Sequence, residues 1–82
     1  MEATFAKREG NCTVVTVDGA QPGTGWKCRC FVVDGVVFYS VTGPSFGGRW
    51  VGPGPSDGAN TNLPVTDPTD GTIYFLKLSC TK

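Results

Sequence analysis

The sequence predicts an all-β protein, folded as a small antiparallel β-sandwich or an open barrel. Several runs are rich in β-branched and aromatic residues, which favour strands. Asp-Gly pairs separate or border these runs, as is typical of turns between strands. No window combines helical periodicity with capping residues. The 82 residues form a single domain, 1–82, and a chain of this length buries only about 60–65% of its unfolded surface.

The N-terminal part of the chain contains one strand in this interpretation. Residues 1–11 form an N-terminal arm, with Phe5 as its large apolar side chain. The run CTVVTV at 12–17 predicts a strand that ends at the turn Asp18-Gly19. The composition of AQPGTG, which follows, indicates a loop.

The clearest element is a hairpin, and it completes the segment 12–42. Asp34-Gly35 separates two apolar runs, so we expect strands at 26–33 and 36–42. A two-residue turn determines which residues face each other. One face is then apolar throughout and belongs to the core: Trp26, Cys28, Cys30, Val32, Val37, Tyr39 and Val41. The other face is apolar only near the turn, at Phe31, Val33, Val36 and Phe38.

The second half of the chain is dominated by glycine and proline. Residues 43–71 hold seven of the twelve glycines and five of the six prolines, and we interpret them as a long loop. Its GGRWVG stretch is equally compatible with a short strand. The segment 72–82 contains a strand at 72–80. One side of this strand is apolar, with Tyr74, Leu76, Leu78 and Cys80, and the other is mixed, with Ile73, Phe75, Lys77 and Ser79.

The four cysteines leave three states open. Cys28 and Cys30 lie on the same side of one strand, which disfavours a bond between them but lets each reach Cys12 or Cys80 on a neighbouring strand. The alternatives are reduced cysteines packed as small apolar side chains and a zinc site, which the Cys-x-Cys spacing matches poorly. The absence of a secretion signal favours the reduced state.

The sequence offers little material for catalysis. It contains no histidine, so the most frequent general base and the usual partner of a serine or cysteine nucleophile are missing. It also lacks a phosphate-binding glycine loop. We expect no enzyme activity, no catalytic residue, no metal and no cofactor. Two clusters of oxygen-bearing side chains are interpreted as turn residues, with a calcium site as the alternative: Asp57, Asn60 and Asn62, and Asp67 and Asp70.

Charge and hydropathy exclude further partners. Seven basic and seven acidic side chains cancel, whereas nucleic acids and anionic membranes usually require a basic excess. The start of the chain, MEATFAKREG, has no apolar stretch of signal-peptide length. No apolar run reaches the length of a membrane-spanning helix. We therefore expect no nucleic-acid partner, no membrane partner and no signal peptide.

Binding or assembly remains as the expected function. The half-apolar strand faces require a cover, from within the chain or from a neighbour. The candidate contact residues are large apolar or arginine side chains: Phe5, Phe31, Phe38, Phe46, Arg49 and Trp50. Three hypotheses follow. The first is a structural protein that binds neighbouring subunits of an assembly, the second is a monomeric module that binds carbohydrate or protein through Trp50 and Phe46, and the third is a small disulfide-stabilised extracellular effector.

A short neutral chain of β-runs with Gly/Pro/Thr-rich connections resembles the small β-rich accessory proteins of tailed-phage virions. That group includes head decoration or cement proteins and small tail components. The resemblance implies a structural role on a capsid or tail lattice, where the protein strengthens junctions between subunits, often as a homo-oligomer. It also implies assembly in the host cytoplasm and residence in the virion. Because no diagnostic motif carries the resemblance, it transfers no functional residue.

Overall fold

The computed structural model describes residues 7–81, and it confirms the all-β class. It consists of six strands, β1 (Lys7–Val17), β2 (Lys27–Val33), β3 (Val36–Gly43), β4 (Phe46–Gly54), β5 (Leu63–Thr66) and β6 (Ile73–Thr81). All neighbouring pairs are antiparallel, in the order β4-β3-β2-β1-β6-β5. Phe5 and the rest of the expected arm before Lys7 lie outside the described residues, whereas 7–11 already belong to β1.

Strand β1 links the two halves of the sheet. Its first part, from Lys7 to Gly10, pairs with β2, and its second part, from Asn11 to Val17, pairs with β6. A register shift between Val14 and Thr16, as in a β-bulge, adds a bend to the second part of the strand. A strand that changes partners in this way forms the corner between two packed layers.

The opposite side of the barrel is nearly closed by the edge strands β4 and β5. A Cβ atom on Gly54 would lie 3.0 Å from Cδ1 of Leu63, so the two strands touch without pairing. The result is a single, nearly closed, barrel-like sheet. Its interior is the core of the protein.

The turns Asp18-Gly19 and Asp34-Gly35 form as the sequence predicts. Asp18 and Gly19 have φ angles of 51° and 81°, and Asp34 and Gly35 have φ angles of 52° and 79°. Left-handed conformations at both central residues are characteristic of the type I′ turn, whose twist matches that of the flanking strands. Aspartate and glycine tolerate this conformation better than most residues. The Asp34-Gly35 hairpin therefore has the predicted register, with Val33 opposite Val36.

The predicted faces of the hairpin and of the last strand are confirmed. The inner residues of the hairpin lie in or against the core cluster, except Val32, which is buried outside it. Tyr74, Leu76, Leu78 and Cys80 contribute the inner face of β6. Side chains that the sequence does not assign to the core complete it: Cys12, Val14, Val17, Phe46, Val51, Leu63 and Val65.

The expected long loop at 43–71 is wrong, because this segment contains β4 and β5. Glycine and proline weaken strands, but they are tolerated on edge strands, where one row of backbone groups needs no partner. Pro53 in β4 and Pro64 in β5 occupy such edges. The alternative interpretation of GGRWVG as a strand is therefore correct, and that strand is longer than the stretch.

Both disulfides are formed, in place of the favoured reduced state and of the zinc alternative. They join Cys12 to Cys28 and Cys30 to Cys80. The first joins the neighbouring strands β1 and β2. The second joins β2 to β6, although β1 lies between them in the sheet order. Its Cα atoms are 6.0 Å apart, whereas strands two positions apart in a flat sheet are separated by about 9.5 Å. The sheet therefore folds over at β1.

Gly10 lies directly against this second disulfide. It pairs with Cys30, and a Cβ atom at this position would lie 2.7 Å from Sγ of Cys80 and 2.8 Å from the carbonyl oxygen of Thr81. Neither atom can move easily, because one belongs to a buried disulfide and the other to the backbone of β6. A residue without a side chain is required where β1 crosses the bridge.

Replacing Gly10 by alanine should destabilise the fold by about 1–3 kcal/mol, the usual cost of forcing a methyl group into a closely packed interior. The measurement is urea-induced unfolding followed by circular dichroism. Gly47→Ala is the matched control, because Gly47 is also in a strand but a Cβ atom added to it would have no neighbour within 4 Å. Equal stability of the two variants would contradict the close contact at Gly10.

The two disulfides should differ in their contribution to stability. Cys30 and Cys80 are 50 residues apart in sequence and Cys12 and Cys28 are 16 apart, so the loop-closure entropy gives about 4 and about 3 kcal/mol respectively. The double variant Cys30→Ala/Cys80→Ala should therefore unfold at lower urea concentration than Cys12→Ala/Cys28→Ala. The reverse order would show that the shorter bridge is the more important one.

Candidate functional site

The most exposed large aromatic side chain among the described residues is Trp50, and it lies on the outer face of the β2–β3–β4 layer. We call this surface the Trp50 face and define it by Glu9, Arg29, Phe31, Phe38, Ser40 and Trp50. The register places Ser40 between Arg29 and Trp50, and Phe31 between Glu9 and Phe38. Two adjacent rows of side chains therefore cross the layer. Trp50 is 67% exposed.

Phe31 supports the ring of Trp50 from below. The centroids of the two rings are 5.5 Å apart and their planes are inclined by 45°. On the same ring, Cζ of Arg29 lies 5.0 Å from the Phe31 centroid, within the range of a cation–π contact. Only 7% of Phe31 remains exposed. Phe31 therefore positions Trp50 and Arg29 and is itself covered, so the expectation that it contacts a partner is wrong.

Arg29 is oriented by Glu9. Its Nε donates to Oε2 of Glu9 at 2.9 Å and its Nη2 donates to Oε1 at 3.0 Å. These two hydrogen bonds and the negative charge of Glu9 raise the pKa of the Arg29 guanidinium above its ordinary value. Both side chains are about half exposed or more, so the pair contributes little to stability. It does hold the flat guanidinium over the Phe31 ring.

Phe46 is a core residue, and the expectation that it contacts a partner is wrong. It is only 8% exposed, and its ring meets the edge of Trp26 at a centroid distance of 5.8 Å. Trp26 in turn packs edge-on against Tyr74 at 5.1 Å. The three rings form one edge-to-face cluster, with Phe46 in the core and Trp26 and Tyr74 partly buried against it. A carbohydrate platform built from Trp50 and Phe46 together is therefore excluded by their positions.

Of the other predicted contact residues, the structure describes Arg49 and Phe38, and these differ in exposure. Arg49 is exposed on β4. Phe38 is partly buried on the outer face of β3, opposite Phe31. Phe5 lies outside the described residues. The structure thus brings Trp50 and Phe38 onto one face, places Arg49 next to Trp50 on the same edge strand, β4, and assigns Phe46 to the interior.

The aspartates that were candidates for calcium form the turns that the sequence predicts for them. Asp57 accepts hydrogen bonds from the backbone of Ala59 at 2.9 Å and from the amide of Asn60 at 2.8 Å. Asp70 accepts one from the backbone of Thr72 at 2.9 Å. Within residues 7–81, no three or more histidine, cysteine, aspartate or glutamate side chains come together as a metal-binding group.

Among the described residues, Asp67 is the most buried carboxylate. It is 1% exposed, and its Oδ1 accepts hydrogen bonds from the backbone of Thr69 at 2.8 Å and from the hydroxyl of Thr69 at 2.6 Å. Its Oδ2 accepts a third, from Ser45 at 3.2 Å. The bonds from Thr69 lower the pKa of Asp67 most, and the bond from Ser45 adds to them. Asp67 therefore links the β5–β6 turn to the β3–β4 turn.

A buried polar network anchors the segment after β4. Thr61 is fully buried, and its hydroxyl lies 2.6 Å from the carbonyl oxygens of both Asp57 and Leu78. Tyr39, also fully buried, donates its hydroxyl to the carbonyl of Pro55 at 2.5 Å. Burial raises the pKa of the Tyr39 phenol. This network holds the segment 55–62 against β3 and β6.

Sequence reasoning missed a second surface, on the outer face of the β1–β6–β5 layer. Phe75 and Ile73 are about half exposed there. An open groove of about 610 Å³ runs beside Phe75, between the turn Asp18-Gly19 and the segment 59–62. The signal was present in the mixed outer face of the last strand. The groove itself could not be read from that pattern, because its walls come from distant parts of the chain.

Comparison with protein-family models gives no match, and neither curated proteins nor solved structures give a significant one. Among the described residues, no helix is long and apolar enough to cross a membrane. Functional inference for this chain therefore starts from the Trp50 face and from the groove beside Phe75.

Asp67 should make the stability depend on pH. Because its folded pKa is lowered, its contribution is complete above the ordinary carboxyl pKa of about 4 and is lost as the pH falls through the folded value. Asp67→Asn should therefore melt below the wild type at pH 7, and this difference should shrink in acid. Thermal unfolding at several pH values measures it. Asp34→Asn, in an exposed turn, is the control; a difference between wild type and Asp67→Asn that stays constant with pH would contradict the assignment.

Proposed function

We propose that this chain is a non-catalytic structural protein that binds neighbouring protein subunits of an assembly through the Trp50 face. One observation carries the proposal: Trp50 is 67% exposed on the outer face of the sheet, where its ring and the guanidinium of Arg29 both pack on Phe31. Tryptophan and arginine are enriched among the residues that dominate the binding energy of protein interfaces. An exposed indole gains free energy when a partner covers it.

The geometry of the face favours a rigid anchor. Phe31 supports the Trp50 ring, and the bond from Arg29 to Glu9 holds the guanidinium in place. Because these side chains are already ordered, less conformational entropy is lost when a partner binds. The two disulfides add rigidity to the layer beneath them.

The edges of the sheet support a face-to-face mode of binding. Strand addition requires an open edge with free backbone groups. Here Pro53 and Pro64 interrupt the two edge strands, and Gly54 and Leu63 bring those edges into contact. The partner that we propose is therefore a protein surface that packs on side chains.

The kind of assembly that we propose is a virion, with capsid or tail proteins as the neighbouring subunits. The support is the resemblance of this short, neutral, β-rich chain to virion accessory proteins, together with a compact fold that two disulfides stabilise. Such a domain suits a particle that must remain intact outside a cell. Self-association into a homo-oligomer on the lattice is part of the same proposal.

A second candidate is a small extracellular effector, and the two disulfides favour it. Disulfides persist in oxidising environments, and small secreted domains use them to compensate for a small core. Mass spectrometry of purified particles separates the two candidates. A structural protein is found in the particle at a fixed ratio to the major subunit, whereas an effector is found free in the medium.

Trp50→Ala should weaken binding to the assembly by roughly 30-fold, the loss that corresponds to about 2 kcal/mol at an interface anchor. The measurement is co-sedimentation of the purified chain with particles that lack it, at increasing concentrations of the chain. Phe75→Ala is the matched control, since Phe75 is an exposed aromatic residue on the opposite layer.

Both variants should keep the thermal stability of the wild type to within a few degrees, because neither ring belongs to the buried core. Wild-type binding by Trp50→Ala would eliminate the Trp50 face as the contact surface. Absence of any binding by the wild-type chain would eliminate the assembly function itself.

A further inference from the structure

The groove beside Phe75 has the construction of a binding site. We call it the Phe75 groove and define it by Thr16, Asp18, Asn60, Asn62, Phe75 and Lys77. It measures about 610 Å³ and is open to solvent along one side. It lies on the β1–β6–β5 layer, whereas the Trp50 face lies on the β2–β3–β4 layer. The groove is therefore a separate surface from the one that carries the proposed function.

One wall of the groove is held in place by two reciprocal hydrogen bonds. The backbone nitrogen of Asp18 donates to the carbonyl of Phe75 at 2.8 Å. The backbone nitrogen of Phe75 donates to Oδ1 of Asp18, also at 2.8 Å. The type I′ turn at Asp18-Gly19 is thereby fixed against β6, and the second carboxylate oxygen of Asp18 accepts no hydrogen bond from a residue in 7–81.

The other wall is fixed by the segment after Asp57. The backbone nitrogens of Asn60 and Thr61 both donate to the carbonyl of Asp57, at 3.1 and 3.0 Å. The buried hydroxyl of Thr61 attaches this wall to the carbonyl of Leu78 in β6. Both walls are thus attached to the same strand, on either side of Phe75 and Lys77. The spacing of the groove is set before any ligand binds, which lowers the entropic cost of binding.

The groove combines an aromatic surface with both donors and acceptors of hydrogen bonds. Phe75 is 49% exposed, so its ring can support an apolar ligand face. The amide of Asn62 and the ammonium of Lys77 make no hydrogen bond or ion pair within the described part of the chain. The Asp18 carboxylate supplies hydrogen-bond acceptors, and its negative charge balances the positive charge of Lys77. The hydroxyl oxygen of Thr16 is a buried polar atom with no partner among the described residues.

We propose that the Phe75 groove binds a neutral saccharide. A sugar ring has an apolar face of C–H groups that fits an exposed aromatic ring, and a rim of hydroxyls that both donate and accept hydrogen bonds. The groove supplies the complementary set: the ring of Phe75, the acceptors of Asp18 and Asn62, and the donors of Asn62 and Lys77. Equal and opposite charges in the groove favour a neutral ligand over an acidic one.

The test is NMR titration of the uniformly ¹⁵N-labelled wild-type chain with three neutral oligosaccharides: cellotriose, chitotriose and mannotriose. Trigalacturonic acid is the acidic comparison. At least one neutral sugar should produce saturable shifts at the backbone amides of Phe75, Lys77 and Asn62, with a dissociation constant in the millimolar range. Phe75→Ala should weaken this binding about tenfold, because the substitution removes the apolar surface on which the sugar ring packs.

Two further variants keep the result interpretable. Asn62→Ala removes hydrogen-bonding groups from an exposed position and should weaken binding with no change in thermal stability. Trp50→Ala should bind the sugar as the wild type does, because Trp50 lies on the other layer. The proposal is overturned if no neutral sugar gives saturable shifts, if only the acidic sugar binds, or if Trp50→Ala abolishes the binding and Phe75→Ala does not.

Discussion

The crossing of β1 over the Cys30–Cys80 disulfide is the constraint on which the rest of this structure depends. The disulfide brings β2 and β6 to a Cα separation of 6.0 Å beneath an intervening strand, and only a residue without a side chain fits at Gly10. Because β1 changes partners at this point, one sheet becomes two packed layers. Cys12–Cys28 continues the pairing of β1 with β2 next to the crossing. Together the bridges let a chain of 82 residues maintain a closed core.

The two layers leave outer faces that differ in character. On one, Trp50 and Arg29 cover Phe31, and the indole of Trp50 is the large apolar group that remains exposed. On the other, Phe75 remains accessible within a groove whose walls come from the turn Asp18-Gly19 and the segment 59–62. A domain built this way can hold a protein neighbour on one side and present a small polar groove on the other. The surface proposed for anchoring and the groove proposed for ligand binding therefore lie on different layers.

The segment 43–71 shows why local composition misleads for edge strands. Its glycines and prolines have low strand propensity, and the sequence therefore predicts a loop. The strands form nevertheless, because β3 and β6 each have a free edge with which β4 and β5 pair. Pro53 and Pro64 lie on the edge strands themselves, where few hydrogen bonds of the sheet are lost. Phe46 was misassigned for the same reason. A residue in a loop would be exposed, whereas the first residue of β4 points into the barrel against Trp26.

The sequence by itself determined the all-β class, the turns Asp18-Gly19 and Asp34-Gly35, the hairpin register, and the inner faces of β2, β3 and β6. These features depend on local turn chemistry and on the two-residue period of a strand, which a sequence contains in full. The pairing of the cysteines, the change of partner in β1, the burial of Phe46 and the groove beside Phe75 were decided only by the tertiary structure. Each of them joins residues far apart in the chain, such as Cys30 with Cys80 and Asp18 with Phe75. Local patterns carry no information about which distant strands become neighbours when the barrel closes.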